Sequence, residues 1–351
     1  MSILIAMLGI SALIVLHELG HFWVARACGM RVLRFSVGFG PTLLQRQVGG
    51  TIWQLAAIPV GGFVHIAGMS SGDDPEEATA IGNGAAGVAF RDRPLWQRAA
   101  VVAAGPAANW LVCAALLAWV AGLLGVPQLQ SATAGVVVGE VSPGGAAARA
   151  GLQTGDRVAQ IDGVAVSAWQ ELVDAVRAHP GIPLQLDVRR SDGAHQLTVT
   201  PEPLGEDGRG VVQILPQVLR QPVGLLGAIE AGIRGAIAAS GDQVRLLSGL
   251  VSGQGGGHLT GLPGIVRIVS QQAHRGLARL LETLSLLSVG LCFLNLMPIP
   301  GLDGSRLLLL GFEAASGRPL GARLENALNT VGFVSLVGLM LFVSLRDLLS
   351  F

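Results

Sequence analysis

The chain of 351 residues has no lysine, three cysteines, and charged residues at only 13% of its length. Each shortage removes a class of protein. All 23 basic residues are arginine and the formal net charge is zero, so no basic tract marks a nucleic-acid partner. The missing lysine reads as a genomic bias. Cys28, Cys113 and Cys292 are an odd number, and the last two lie in apolar stretches where cysteine behaves as a small hydrophobe, so no disulfide framework is implied. So little charge, beside 51% hydrophobic residues and a mean hydropathy of +0.58, places the chain among integral membrane proteins rather than soluble domains.

What the chain has in quantity is long apolar runs. Ile3 to Val24, Ala99 to Leu124, Leu280 to Met297 and Ala327 to Leu345 are each long enough to span a bilayer. No positive region precedes the first, which therefore reads as a retained helix and not a cleaved signal peptide. Seven arginines from Arg26 to Arg98 lie between the first and second runs, and Arg306, Arg318 and Arg323 between the third and fourth. The positive-inside rule makes both connections cytoplasmic and puts the region between the second and third runs outside.

That outer region reads as alternating strands and turns from Gly135, with a helix over Trp169 to Ala178 and a hairpin of Leu184–Arg189 and Gln196–Thr200 around Ser191-Asp192-Gly193. It resembles a bacterial PDZ domain through Ser142-Pro143, Ala146, Ala150-Gly151-Leu152, Gly155-Asp156 and Ile161-Asp162-Gly163. Such a domain either adds a peptide ligand to its sheet edge or serves as a spacer that filters substrates by size, and sequence leaves both open. Beyond it, Gly224 to Val251 reads as an amphipathic helix pair broken by charges, followed by a flexible Gly253–Gly257 joint. In the first cytoplasmic connection, Arg31–Val37 and Thr51–Ile58 have strand character. They predict a small membrane-associated sheet whose edge could receive a substrate segment. Ser70 to Arg91 is rich in glycine and acid.

The chemistry is concentrated in His17-Glu18-Leu19-Gly20-His21, inside the first apolar run. Histidines at i and i+4 share a helix face and can reach one Zn²⁺, with Glu18 beside them as a base. Ionisable groups at membrane depth are costly and need a metal, a protein interior or a water cavity. Cys28 lies past the end of that helix and is read as a packing or surface residue rather than a ligand. A catalytic zinc needs a third protein ligand, and Asp303 is the best candidate. It follows Asn295-Leu-Met-Pro-Ile-Pro-Gly-Leu, where prolines and glycines must break the third helix, and irregular backbone at membrane depth is tolerated only where it lines a cavity.

Several separate motifs then carry a resemblance over nearly the whole chain. They are His17 to His21 with Phe22–Arg26 after it, Phe35–Pro41, Ile58–Val64, Ala104–Asn109, Gly261–Ile265, and Asn295 through Gly304. The chain resembles the site-2 protease family, specifically its bacterial RseP-type zinc intramembrane metalloproteases. The resemblance implies that His17, His21 and Asp303 hold zinc, that Glu18 activates water, and that the strand-forming loop presents an unwound substrate. Asn295 is expected to donate to the substrate backbone or oxyanion, or else to cap the helix before Pro298. Asn109 either positions substrate or satisfies a helix break. Gly61 and Gly62 lie close to the bound peptide or form a hairpin turn. The remaining histidines, including His65, are read as surface or loop residues. Two departures stand out: one PDZ segment where these proteins often have two, and Ser305 where a second glycine commonly follows Leu-Asp-Gly.

The expected architecture is a polytopic α-helical membrane protein of about four transmembrane helices, with a small membrane-associated β-sheet and an α+β PDZ domain. Its segments are 1–25 (first span with the zinc motif), 26–94 (cytoplasmic loop), 95–126 (second span), 132–203 (periplasmic PDZ domain), 204–276 (amphipathic helices and joint), 277–313 (third span and Leu-Asp-Gly) and 314–351 (fourth span and C-terminus). The expected function is a zinc-dependent endopeptidase of a bacterial inner membrane. It would cut single-span membrane proteins such as anti-sigma-factor-like regulators or remnant signal peptides, with the lipid bilayer and a peptide ligand of the PDZ domain as further partners. The alternative is a non-catalytic PDZ adaptor with a structural zinc, although such a site has no use for Glu18. A metal transporter would need a continuous polar path that one such face does not provide.

Overall fold

In hydrocarbon a chain must satisfy its amides internally, so the long apolar runs fold as helices. The computed structural model describes residues 2–69, 87–129, 135–204, 208–252, 261–319 and 321–349. In chain order the elements begin with helix α1 (Ser2–Ala27), strands β1 (Val32–Val48) and β2 (Thr51–Ile66), and helix α2 (Leu95–Leu124). Then come β3 (Val126–Leu129), β4 (Val136–Val141), α3 (Ala146–Arg149), β5 (Arg157–Ile161), β6 (Val164–Ala165), α4 (Trp169–Ala178), β7 (Leu184–Arg190) and β8 (Gly193–Val199). Short strands β9 (Glu202–Leu204), β10 (Arg209–Val211), β11 (Ile214–Pro216) and β12 (Val218–Gln221) follow. Helices α5 (Leu225–Val251), α6 (Leu262–His274), α7 (Leu277–Leu296), α8 (Asp303–Ser316) and α9 (Ala322–Leu349) complete the described chain. Among the described residues four helices are long and apolar enough to cross a membrane: α1, α2, α7, and Thr330–Asp347 of α9. The Gly253–Gly257 joint, His258 and most of the acid-rich Ser70–Arg91 stretch lie outside the described residues.

The chain divides into two compact units, residues 1–121 with 225–351, and residues 122–224. In the first, α1 and α2 approach backbone to backbone: a Cβ on Gly20 would run into the carbonyl oxygen of Ala104. Ala6, Ile10 and Leu13 of α1 pack with Val269 of α6 and with Leu280 and Leu284 of α7. Helix α5 is one helix where a pair was expected. Its charges do not break it, because Glu230 pairs with Arg234 and Asp242 with Arg245 along an exposed face. Its small residues, Ala236 and Ala239, lie against Cys113 and Ala114 of α2.

Strands β1 and β2 are longer than the sequence suggests, because each bends and pairs twice. Val32–Val37 runs antiparallel to Gly62–Ile66 on one side, while the pairs from Arg34↔Ile52 to Val37↔Leu55 run in one direction on the other. The hairpin turns at Gly49-Gly50, both with positive φ (59° and 82°), as the tight primed turns require. Gly61-Gly62 is therefore not a hairpin turn but lies inside β2, where a Cβ on Gly62 would meet the Ser36 carbonyl oxygen. Phe22 of α1 meets Trp53 edge to face and Phe35 of β1 packs tilted against it, with ring centroids 5.0 and 4.8 Å apart, and this joins the sheet to α1. Farther out, Phe39, Leu43, Leu44, Val48, Leu55 and Ile58 are exposed.

The second unit is an antiparallel sheet of order β11-β4-β5-β7-β8, with β6 on β5. Leu172 and Val176 of α4 complete its core with Val158, Leu186 and Val188. It is wider than the 132–203 segment read from sequence because β11 joins β4 and β12 pairs with β3. Inside it Asp156 is 2% exposed, accepting from the Gln153 amide and, through both oxygens, from Arg190. Burial alone would raise its pKa, but the hydrogen bonds from Arg190 and the Gln153 amide outweigh it and hold the carboxyl below its ordinary value.

A depressed folded-state pKa stabilises above the unfolded value, near 4, and that stabilisation is lost as pH falls through the folded value. Asp156→Asn is therefore expected to lower the stability of this unit by about 2 kcal/mol at pH 7, and to flatten its loss of stability below about pH 4. Hydrogen exchange of residues 136–199 in the full chain, read across pH, measures both.

Candidate metal centre and catalytic cleft

Helix α1 places His17 and His21 one turn apart with Nε2 atoms 3.2 Å from each other. The third donor comes from the far end of the chain. Helix α7 stops at Leu296 before Pro298 and Pro300, the chain reverses through Gly301 (φ 95°), and α8 begins at Asp303. Gly304 permits the reversal, because a Cβ there would strike the carbonyl oxygens of Leu296 and Met297. Ser305 adapts to it by donating its hydroxyl to the Leu302 carbonyl at 2.8 Å. Asp303 Oδ2 thereby reaches 3.1 Å from His17 Nε2 and 3.3 Å from His21 Nε2.

Donors of a tetrahedral zinc with bonds of 2.0–2.1 Å stand about 3.3 Å apart. The three separations here match that triangle. Asp303 Oδ2 is buried and hydrogen-bonded to neither ring, which leaves its lone pair for a cation. These residues fit zinc, and His17, His21 and Asp303 are the one cluster among the described residues with metal-binding proximity.

Helix α2 backs the rings. Pro106 lacks an amide for the carbonyl one turn earlier. The neighbouring Val101 carbonyl accepts His21 Nδ1–H at 2.7 Å, leaving His21 Nε2 bare toward Asp303. A Cβ on Gly105 would collide with His21 Nε2 and come within 2.6 Å of His17 Cε1, so only glycine lets α2 lie this close. The amide of Asn109 lies 3.2 Å from His17 Nδ1, and its oxygen is otherwise a buried atom without a partner. Amide nitrogen and oxygen exchange by a half-turn, and the oxygen facing Nδ1–H satisfies both groups while leaving Nε2 bare. Ser288 of α7 donates to the Asn109 carbonyl at 2.8 Å. At the other end of α8, Glu313 receives both terminal nitrogens of the buried Arg98, at 3.0 and 2.6 Å, which pins to α2 the helix that carries Asp303.

Glu18 Oε2 accepts the Val64 amide of β2 at 3.1 Å. The cleft before it, 350 Å³, is lined by His17, Glu18, His21, Phe63 to Ile66, Met69, Asn295, Gly301 to Asp303 and Arg306. Asn295 thus faces the cleft, with its Nδ2 donating to the Leu291 carbonyl at 3.0 Å. Asn109 is fully buried behind His17, outside the cleft lining, and Gly61 and Gly62 pack β2 on β1 and α1 rather than line it. Cys28 packs in the cluster of Phe22 and Phe35. His65 and Arg306 line the cleft although the sequence reading passed over both. Arg306 follows Asp303 by three residues on one helix, a spacing that would have placed it there. His65 carries no such signal.

The model of peptidase family M50 matches residues 5–339. The metalloprotease MmpA of Caulobacter vibrioides is 32% identical, over 97% of this chain and 93% of its own length. The zinc metalloprotease RasP of Geobacillus kaustophilus is 29% identical over 97% and 96%, and the regulator of sigma-E protease RseP of Salmonella typhimurium 28% identical over 95% and 95%. Among solved structures, the PDZ domain of the SdrC-like protein Lmo2051 from Listeria monocytogenes aligns with 24% of the chain and 90% of that domain, at 24% identity and a TM-score of 0.23.

Two outcomes test the geometry of the donors. Gly105→Ala, which in an ordinary helix would stabilise by about 0.5–1 kcal/mol, should instead weaken zinc retention at least about tenfold in competition with a chelator. Asn109→Leu should weaken it by about 10- to 100-fold while the thermal unfolding of the zinc-free chain changes less than for Gly105→Ala.

Proposed function

The chain belongs to peptidase family M50, and from that premise we propose that it cleaves within or beside the single membrane spans of other proteins, with His17, His21 and Asp303 as zinc ligands and Glu18 as general base. It is a zinc metalloendopeptidase of the site-2 type and an integral membrane protein. One observation supports the residue roles above all: three bare donor atoms converge on the cleft that Glu18 shares, on helices apolar enough to lie in lipid.

A zinc held there supplies Lewis acidity, bringing the pKa of water beside it to about 7 and polarising a carbonyl. Glu18 is the base that would take a proton from the attacking water as its oxygen bonds to the scissile carbonyl carbon, and hand that proton to the amine nitrogen as the C–N bond breaks. Val64 N–H keeps the carboxylate in place for this. A transmembrane helix hides its amides, so the substrate has to open locally and lie extended along the Phe63–Ile66 edge of β2, where helix-breaking residues lower the cost. Asn295, with its amide on the cleft, is the donor to the substrate backbone or the developing oxyanion. Gly61 and Gly62 shape the strand that receives the peptide. The exposed apolar end of the β1–β2 hairpin seats it in the bilayer.

The residence is a bacterial inner membrane with the 122–224 unit on the periplasmic side, since the arginine-rich connections belong in the cytoplasm. That unit, read as a PDZ domain, has a 190 Å³ groove between α4 (Trp169, Leu172, Val176) and Val211 to Ile214, beside the edge strand β11. The groove favours capture of an extended peptide over a spacer role. Substrates of this chemistry include anti-sigma-factor-like regulators and remnant signal peptides. The adaptor reading is disfavoured by Glu18, which a structural zinc would not require.

The test compares the chain with Glu18→Gln in detergent, on a single-span substrate with a helix-destabilised segment. Cleavage inside that segment is expected, abolished by chelation and reduced at least about 100-fold in the variant at unchanged zinc content. Equal zinc in both proteins and cleavage by neither, across several such substrates, would favour the adaptor.

A further inference from the structure

The fourth span supplies no donor to the metal centre, yet two close backbone contacts set it between the elements that do. Near its start, Gly332 of α9 is buried against the turn that leads into Asp303, where a Cβ would strike both the Cβ and the carbonyl oxygen of Pro300. Near its end, the Gly261 amide, just before α6, donates to the buried carboxylate of Asp347 at 2.7 Å. A Cβ on Gly261 would come within 2.8 Å of the Ser344 backbone. Gly332 and Ser344 are separated by about 18 Å along the helix. Glycine in a helix is not in itself the signal, because Gly338 of α9 has nothing within 4 Å of its Cβ position.

The two contacts lead to the two sources of donors. Pro300 precedes the reversal at Gly301 from which Asp303 emerges. Helix α6 packs through Val269 on Ala6, Ile10 and Leu13 of α1, the helix that carries His17 and His21. Among the helices α9 packs chiefly on α6, so its place is fixed from the histidine side while its start bears on the aspartate side. Magnitudes make this contact matter. A methyl group at position 332 needs about 1 Å more room than Pro300 leaves, since non-bonded atoms settle about 3.5 Å apart. Metal–ligand bonds tolerate only about 0.2 Å. Proline has one fixed backbone angle, so a push on Pro300 is passed along the turn rather than absorbed at that residue.

We infer that Gly332 is a positioning residue for the third zinc donor: the fourth span, held on α6, is the stop that sets how far the 298–302 turn carries Asp303 toward the histidines. The inference rests on the ligand set given under the proposed function and on no step of catalysis.

The test measures zinc retention by the full chain in detergent against a chelator. The visible spectrum of the cobalt-loaded chain reads donor geometry, and thermal unfolding of the metal-free chain reads the fold. Gly332→Ala is expected to weaken zinc retention about tenfold and to change the cobalt spectrum, and Gly338→Ala to do neither. Asp347→Leu, which releases the other contact, is expected to weaken retention less than Gly332→Ala does, while Asp347→Asn, which keeps an oxygen for the Gly261 amide, holds zinc as the unaltered chain does. Asp303→Ala separates the two readings. If it leaves retention unchanged, the ligand set fails and this inference with it. If Asp303→Ala releases zinc but Gly332→Ala retains it with an unchanged cobalt spectrum, the role of Gly332 alone is overturned, as it is by equal losses in Gly332→Ala and Gly338→Ala. Should metal-free Gly332→Ala fail to fold, equal retention by Asp347→Leu and Asp347→Asn overturns the inference.

Discussion

Three electron-rich atoms that repel one another lie 3.1 to 3.3 Å apart in a setting with little water to screen them. Holding such a cluster requires the surrounding helices to come closer than ordinary side chains allow. Gly20 lets α1 meet α2, Gly105 makes room beneath both imidazoles, and Gly304 folds the start of α8 under the end of α7. In lipid, where the hydrophobic effect gives helices no reason to associate, this close packing of small residues is itself the source of cohesion. The same glycines thus serve the stability of the bundle and the geometry of its polar centre.

The polar contacts around the centre have a division of labour. The Val101 carbonyl and Asn109 each address the nitrogen of a histidine that faces away from Asp303, and so select the tautomer. Arg98 and Glu313 act at a distance, fixing the rotation and height of α8 against α2. Ser288 connects α7 to the same stretch of α2. Every helix that contributes to the cleft is therefore tied to α2, which supplies no donor of its own.

Much of this was legible in the sequence for identifiable reasons. The i, i+4 histidines state their own geometry, and the prolines and glycines before Asp303 announce a broken helix at membrane depth. Alternation and an Asp-Gly turn revealed β7 and β8. Other features left no such trace. Strand β2 continues through Gly61-Gly62 because it changes partners there, which no periodicity records. Strands β11 and β12, of three and four residues, are too short to show alternation. Helix α5 looked interrupted because its charges were read as breaks rather than as pairs on one face. The role of α2 behind the rings depends on contacts with residues some 80 positions away, beyond the reach of local pattern.

The hydrogen bond from Val64 to Glu18 ties the position of a strand to the readiness of a proton acceptor. A strand has a two-residue repeat, so a slip by one position would withdraw that amide from the carboxylate and turn every side chain of Phe63 to Ile66 to the opposite face. In the proposed reaction, alignment of the peptide and activation of water are thus one variable rather than two. A poorly seated chain meets a base that is out of place. If substrate lies along β2 as proposed, idle hydrolysis is restrained by the backbone itself.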